Sequence, residues 1–281
     1  MTTSVLVTGG AGRIGRVLTD ALADRYDFRV LDRDPIAPER LPAGVDPAAV
    51  FVGDITDAAL VAEAIAGCAA VIHLAGDPRP EAGWPSVLEN NIDGTHTVYR
   101  AAVDAGVERI IFASSNHAVR GYETPERLPQ LYEADDDFRL DGTERLRPGN
   151  LYGLSKATGE LLGRWVHDET GIAVMNVRVG NLTLGHPPVA YPRGQAMWLS
   201  GRDCVQLFDR CLQAEYDYGT VYGIPANDRR YYSLAPGRAP LGDEPEDNAA
   251  KWDGTSRRRS ADAVLALAAR APGCGGQRAQ T

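Results

Sequence analysis

The sequence predicts an α/β fold: a doubly wound parallel sheet with a small C-terminal substrate lobe over its strand ends. Three observations carry this. Short apolar runs alternate with amphipathic stretches along residues 4–177, the pattern of a sheet covered on both faces. Gly9, Gly12 and Gly15 stand between the first apolar run and the first amphipathic stretch. Asp32 closes the second run, where dinucleotide-binding folds place an acidic residue.

The elements follow in order. Residues 4–8 are apolar and stopped by glycine, which predicts a buried strand. Ile14, Val17, Leu18, Ala21 and Leu22 recur at the spacing of one helix face. Strands are expected at 28–31, 50–52 and 70–74, with a helix over 58–65. A long helix over 87–105 stops at Gly106, and a fifth strand spans 109–113. A helix over 152–169 stops at Gly171, before a sixth strand at 173–177. Two stretches break this rhythm. Residues 123–148 are polar, with Asp135-Asp136-Asp137 in the middle, and read as an insertion or flap near the site. After Gly180 the chain is richer in Pro, Gly and aromatics. The expected division is a Rossmann domain over 1–180 carrying the catalytic residues, a substrate lobe with closing elements over 181–271, and a disordered tail over 272–281.

Composition narrows the function. A chain of 281 residues suits one large domain with a small lobe. The formal net charge is -9 without a basic stripe, which argues against nucleic acid as a partner. An anionic substrate would therefore need local basic groups. Cys68, Cys204, Cys211 and Cys274 form no Cys-x-x-Cys pair and have no histidine cluster beside them. No metal site and no disulfide framework is expected, and free thiols suit a cytoplasmic protein. The N-terminus has no signal-peptide pattern, and no apolar run approaches a membrane span.

The segment Thr8-Gly9-Gly10-Ala11-Gly12-Arg13-Ile14-Gly15 leads from a strand into a helix. Glycines there let the backbone approach a pyrophosphate, and the helix N-terminus favours its charge. Gly9, Gly12, Arg13, Ile14 and Gly15 are expected at the cofactor phosphates. The Asp32 carboxylate can accept from both ribose hydroxyls of NAD and would repel the extra phosphate of NADP. Asp54 and Ile55 are placed for an adenine contact. Leu74, Ala75 and Gly76 end the fourth strand, where small residues allow close approach. Asn91 joins the expected cofactor contacts.

Tyr152 and Lys156 lie four apart on a helix and so share a face. A free tyrosine, with a pKa of about 10, is a poor base near neutrality. A neighbouring ammonium favours the phenolate, which can then take a hydroxyl proton as hydride leaves. Lys156 can also reach the nicotinamide ribose. Ser114-Ser115 ends the fifth strand and faces the same crevice.

These motifs, with Asp54-Ile55, His73-Leu74-Ala75-Gly76 and Tyr152-Gly153-Leu154-Ser155-Lys156, resemble the extended short-chain dehydrogenase/reductase superfamily of epimerases and dehydratases over residues 4 to 180. The resemblance places the catalytic hydroxyl on Ser115, the base on Tyr152 and the lysine on Lys156. A narrower likeness, in Phe112-Ala113-Ser114-Ser115-Asn116-His117, Gly121-Tyr122, Asn227-Asp228 and Asp247-Asn248-Ala249, is to uronate dehydrogenases. It implies NAD-dependent oxidation of a uronic acid at the anomeric carbon to an aldarolactone. Asn116 and His117 would bond sugar hydroxyls, Asn181 would line the substrate side, and Arg193 would hold the carboxylate, with Arg79 a second candidate. The partner implied is a small polar sugar acid, and the superfamily suggests a homo-oligomer paired through the 87–105 and 152–169 helices. Residues 75–80, 117–152 and 183–200 differ from the family pattern, all on the substrate side. A sugar-nucleotide epimerase or dehydratase, a tailoring ketoreductase and an NAD-sensing regulator are the other readings. The roughly 100 residues after Gly180 leave little room for a nucleotide diphosphate, and an intact base is superfluous in a sensor.

Overall fold

The computed structural model describes residues 2–42, 44–127, 139–184 and 192–251. The tail expected over 272–281 and the centre of the 123–148 insertion lie outside the described residues. One seven-stranded parallel sheet contains β1 (Thr3–Thr8), β2 (Tyr26–Asp32), β3 (Val50–Val52), β4 (Ala70–His73), β5 (Arg109–Ser115), β6 (Ala173–Val179) and β9 (Tyr218–Gly223). Their order is β3-β2-β1-β4-β5-β6-β9. Strand order reverses between β1 and β4, so the crevice at their carboxyl ends is where such a sheet takes a ligand. A short parallel pair, β7 (Asn181–Leu182) with β8 (Trp198–Leu199), lies outside the sheet.

Alternation along the strands sends side chains to two apolar layers. Val5 and Val7 of β1 join one core and Leu6 the other. The first core is closed by α1 (Arg13–Leu22) and α6 (Gly201–Gln213), through Val17, Leu18, Leu207 and Phe208. The second is closed by α2 (Ala58–Ile65), α3 (Gly94–Ala105) and α4 (Leu151–Thr170), through Val61, Val98, Tyr99 and Val166. Helix ends follow their sequence signals. Asp57 accepts from the first-turn N–H groups of α2, and Asn150 does so for α4. Gly106 and Gly171 end α3 and α4 in the left-handed region, where a side chain would be strained.

The structure departs from expectation in three places. The helix expected over 87–105 is continuous, but Val87–Asp93 is π-helical, a form common at functional sites. Strand β9 was not expected, because Tyr-Gly-Thr-Val-Tyr-Gly carries little apolar signal of its own. The open edge of β6 recruits it, pairing Val174 with Tyr218 through Val179 with Gly223. With α6 packed on α1, the described residues after Gly180 thus contribute a strand and a helix to the main fold as well as a separate cluster. The lobe has its own cluster, in which Tyr231, Tyr232 and Leu234 pack on Val119, Leu140, Ala196 and Met197. Its helices are α5 (Pro192–Met197) and α7 (Ala235–Leu241). Leu140, from the insertion, bonds the backbone of Tyr231 and Ser233, so the insertion is tied to the lobe. No helix among the described residues is long and apolar enough to cross a membrane.

Candidate active site

A cleft of about 980 Å³ runs along the carboxyl ends of the strands. Gly9, Gly12, Arg13, Ile14 and Gly15 line it at one end, with Asp32, Asp54, Ile55, Leu74, Ala75 and Gly76. Ser115, Tyr152, Lys156, Asn181 and Arg79 line it further along. Asn91, Asn116, His117 and Arg193 are outside that lining.

The glycine turn fits a pyrophosphate by shape. Gly9 has φ +72°, and a Cβ there would lie 2.8 Å from the Ala75 nitrogen. A Cβ on Gly15 would lie 2.5 Å from the Gly10 Cα. Both are contacts with backbone, which cannot give way, so the close approach of loop to helix exists only with glycine. Asp32 braces this turn, because its Oδ2 accepts the Ala11 N–H at 2.8 Å and its Oδ1 that of Asp34 at 3.1 Å. Each oxygen keeps a second lone pair for a ribose hydroxyl. These residues fit an adenine dinucleotide, and NAD supplies a hydride acceptor when bound there. Arg13 reaches across the cleft, its Nη1 donating to the Leu182 carbonyl at 2.9 Å. Asn91 supports the cleft wall rather than lining it. Its Oδ1 accepts the Asp77 N–H, while its Nδ2 donates to the Asp77 carbonyl and to Ser155 Oγ.

Helix α4 is held to β5 at successive turns. Tyr152 is hydrogen-bonded to the Ser115 side chain. Lys156 Nζ donates to the Ala113 carbonyl at 2.8 Å. Glu160 Oε1 accepts from Ser114 Oγ at 2.5 Å. Glu160 is fixed in turn by Arg178, whose Nε and Nη2 donate to its two oxygens at 2.9 and 2.8 Å. Arg178 is buried, and its Nη1 also meets Glu144 from the insertion and the Tyr222 hydroxyl. Neither Glu160 nor Arg178 was expected from the sequence, although an arginine inside an apolar strand is a signal of a buried partner.

Burial pushes the Lys156 ammonium down to about 8. Lys156 and Lys251 are the chain's only lysines among its 29 basic residues. Burial also pushes the Tyr152 phenol up, and the Ser115 hydrogen bond opposes that. The ammonium expected to lower the Tyr152 pKa points instead at the Ala113 carbonyl, and its Nζ stands 5.8 Å from the phenol ring centroid. In this arrangement Ser115 is the group that favours the phenolate.

Beyond Ser115 the side chains are brought together over longer reaches of chain. Ser115 Oγ accepts the His117 N–H and starts a single helical turn, Asn116–Ala118. Asn116 is buried, yet its Nδ2 has no hydrogen-bond partner among the described residues. A buried amide left so is costly, and a bound ligand oxygen would satisfy it. The His117 ring stands edge-on to Tyr152, 5.5 Å between centroids. Burial lowers its pKa, with the charges of Arg120 and Arg193 adding to the shift. Arg193 is clamped by Glu123, Nε to Oε2 at 2.7 Å, and Glu123 also accepts from the Tyr232 hydroxyl at 3.1 Å. Arg79 is paired with Asp77, which Ser86 Oγ also bonds. Asp77, held by Arg79 and Ser86, titrates well below the usual carboxylate range. Glu123 and Asn150 carried no sequence signal beyond a helix-cap position for the latter.

Comparison with known proteins accords with this geometry. Residues 5–195 match the model of the NAD dependent epimerase/dehydratase family. The chain is 58% identical over 248 residues to the NAD-dependent glucose-6-phosphate dehydrogenase of Haloferax volcanii, covering 88% of this chain and 95% of that one. It is 37% identical over 258 residues to the L-arabinose 1-dehydrogenase (NAD(P)(+)) of the same organism, covering 88% and 97%. A solved structure of Agrobacterium tumefaciens uronate dehydrogenase complexed with NAD superimposes with a TM-score of 0.76 at 31% identity, covering 93% of this chain and 90% of that one.

Proposed function

We propose, for a chain that belongs to the NAD dependent epimerase/dehydratase family and is an NAD-dependent dehydrogenase, that it oxidises the anomeric carbon of a hexose with an anionic group at C6, giving the lactone. Glucose 6-phosphate is the first candidate and a uronate the second. The observation that carries this order is the 58% identity, over nearly its full length, to a glucose-6-phosphate dehydrogenase. Uronates are supported by the likeness to uronate dehydrogenase and by Asn116-His117 beside Ser115. Glucose 6-phosphate and glucuronate present the same ring hydroxyls and differ in the C6 anion.

In this reading Tyr152 takes the proton of the C1 hydroxyl while C1 becomes a carbonyl and its hydride passes to NAD. Ser115 holds the reacting oxygen, and Lys156 holds the nicotinamide ribose. Asn116 Nδ2 and His117 bond ring hydroxyls, Asn181 lines the sugar side, and Arg193 faces the anion with Arg79 as the alternative. The enzyme works in the cytoplasm as a homo-oligomer. Pairing through α3 and α4 is supported by Leu161 and Trp165, exposed by 61% and 55% on α4. The test is a screen of glucose 6-phosphate, glucuronate, galacturonate, arabinose and nucleotide sugars with NAD and NADP, followed by absorbance of the reduced cofactor. The highest kcat/KM belongs to glucose 6-phosphate with NAD. A higher value for the uronates would reverse the order, and turnover of nucleotide sugars alone would overturn the proposal.

A further inference from the structure

Asn150 stands at a junction of three segments. Its Oδ1 accepts the Gly153 N–H at 2.7 Å and so caps α4 two residues before Tyr152. Its Nδ2 donates to the Pro80 carbonyl at 3.0 Å, tying down the loop that carries Arg79. The same Nδ2 lies 3.1 Å from His117 Nδ1. This amide can face only one way. Turned over, it would set NH2 against the Gly153 N–H and oxygen against the Pro80 oxygen, losing both bonds. With the amide so fixed, its second hydrogen points at His117 Nδ1, which must therefore present a lone pair. The amide oxygen is farther from that nitrogen, at 3.4 Å, and is already engaged by the shorter Gly153 bond. The proton of the neutral imidazole is left on Nε2, which bonds to no described residue.

We infer that Asn150 is a positioning residue that holds His117 as the Nε2–H tautomer, making the ring a hydrogen-bond donor to a substrate oxygen. The tautomer of a histidine is set by what its other nitrogen bonds. A donor at Nε2 matches an electron-rich ring oxygen, whereas the opposite tautomer would match a hydroxyl hydrogen. Burial does most to disfavour imidazolium and Arg120 and Arg193 add to it, while the Asn150 contact and Glu123 act the other way and Tyr152 meets the ring edge-on. The direction of the Asn150 bond is set by the Gly153 and Pro80 bonds. The role of the donor rests on the proposed sugar contact of His117, but the tautomer does not.

Asn150→Asp and Asn150→Ser separate capping from positioning. Both residues cap helices well, so α4 keeps its cap, and the loss of the exposed Pro80 bond should lower the unfolding midpoint only modestly and in both variants alike. Aspartate offers His117 Nδ1 an acceptor in place of a donor, and serine withdraws the donor. The full-length chain, labelled with ¹⁵N at histidine, reports the tautomer directly, with His117→Gln identifying the resonance. The expected parent spectrum is that of Nε2–H imidazole. In Asn150→Asp the proton moves to Nδ1 and the His117 pKa rises by about one unit. The kcat/KM for the best substrate of the screen then falls roughly tenfold, chiefly through KM, and its pH profile gains the shifted titration. An Nδ1–H parent tautomer, or His117 spectra unchanged in both variants, overturns the inference. A spectrum that moves as expected while KM and kcat hold still leaves the tautomer established and removes His117 from the sugar site.

Discussion

The two ends of the cleft are built differently. The phosphate end is made of backbone: a turn from Gly9 to Gly15, braced by Asp32 at the close of the next strand. The proposed sugar end, beside the cleft lining, is held by side chains that reach distant segments, as in Glu123 with Arg193, Tyr232 with Glu123, and Asn150 with the Pro80 carbonyl. A backbone cradle recognises a group common to all dinucleotides and tolerates little change. Side-chain clamps can be exchanged in pairs without disturbing the sheet. One fold can thus keep its cofactor while its sugars diverge, which accords with relatives named for glucose 6-phosphate and for arabinose.

Four variants break or sharpen this contrast, in decreasing order of effect. Tyr152→Phe acts at the seam, where proton transfer by a positioned base is worth roughly 10²–10⁴-fold. Turnover should fall about a thousandfold in steady-state assays while NAD binding, read by calorimetry, persists; unchanged turnover would remove Tyr152 as the base. Gly15→Ala acts on the phosphate end alone. Its Cβ would overlap Gly10, and such overpacking costs about 1–3 kcal/mol. NAD affinity should drop with all sugars affected alike.

Arg193→Met, made together with Glu123→Gln so that no buried carboxylate is stranded, acts on the sugar end alone. A hydrogen bond to a charged group is worth about 1.5–3 kcal/mol. The KM of anionic sugars should rise roughly ten- to a hundredfold, with that of arabinose and the Kd of NAD little changed. An equal loss for neutral and anionic sugars would show that Arg193 shapes the lobe and does not read charge.

Asp243→Asn touches neither end and has the smallest effect. Burial, with Asp203 nearby, raises the Asp243 carboxyl from 3.8 to about 6. The folded state then binds more protons than the unfolded chain between those values, so stability falls as pH rises through them. The neutral amide should raise stability near pH 7 by roughly 1–2 kcal/mol, read as a higher Tm, and change little near pH 4. A gain of equal size at both pH values would mean that ionisation is not its source.

Much of the phosphate end was legible in the sequence. Gly9, Gly15, Asp32 and the strand–turn–helix around them are one local motif, and Tyr152 with Lys156 is one helix spacing. Asn91 buttresses the Asp77 loop, a contact that its place on the π-helical turn sets and the sequence did not announce. Strand β9 was missed because its partner, β6, supplies what its own residues lack. Glu160 and Arg178 were missed because a buried pair is recognisable only once both members are placed.

The sequence by itself determined the alternating α/β order, the glycine cradle and the Tyr152–Lys156 face, since each depends on backbone conformation or on neighbours within one turn. The tertiary structure decided which strand closes the sheet, which acid clamps Arg193, how Arg178 locks Glu160 of α4 and where Asn150 meets His117. Those outcomes depend on partners brought together from distant segments by burial of the two apolar layers, and the geometry of such meetings is absent until the sheet has formed.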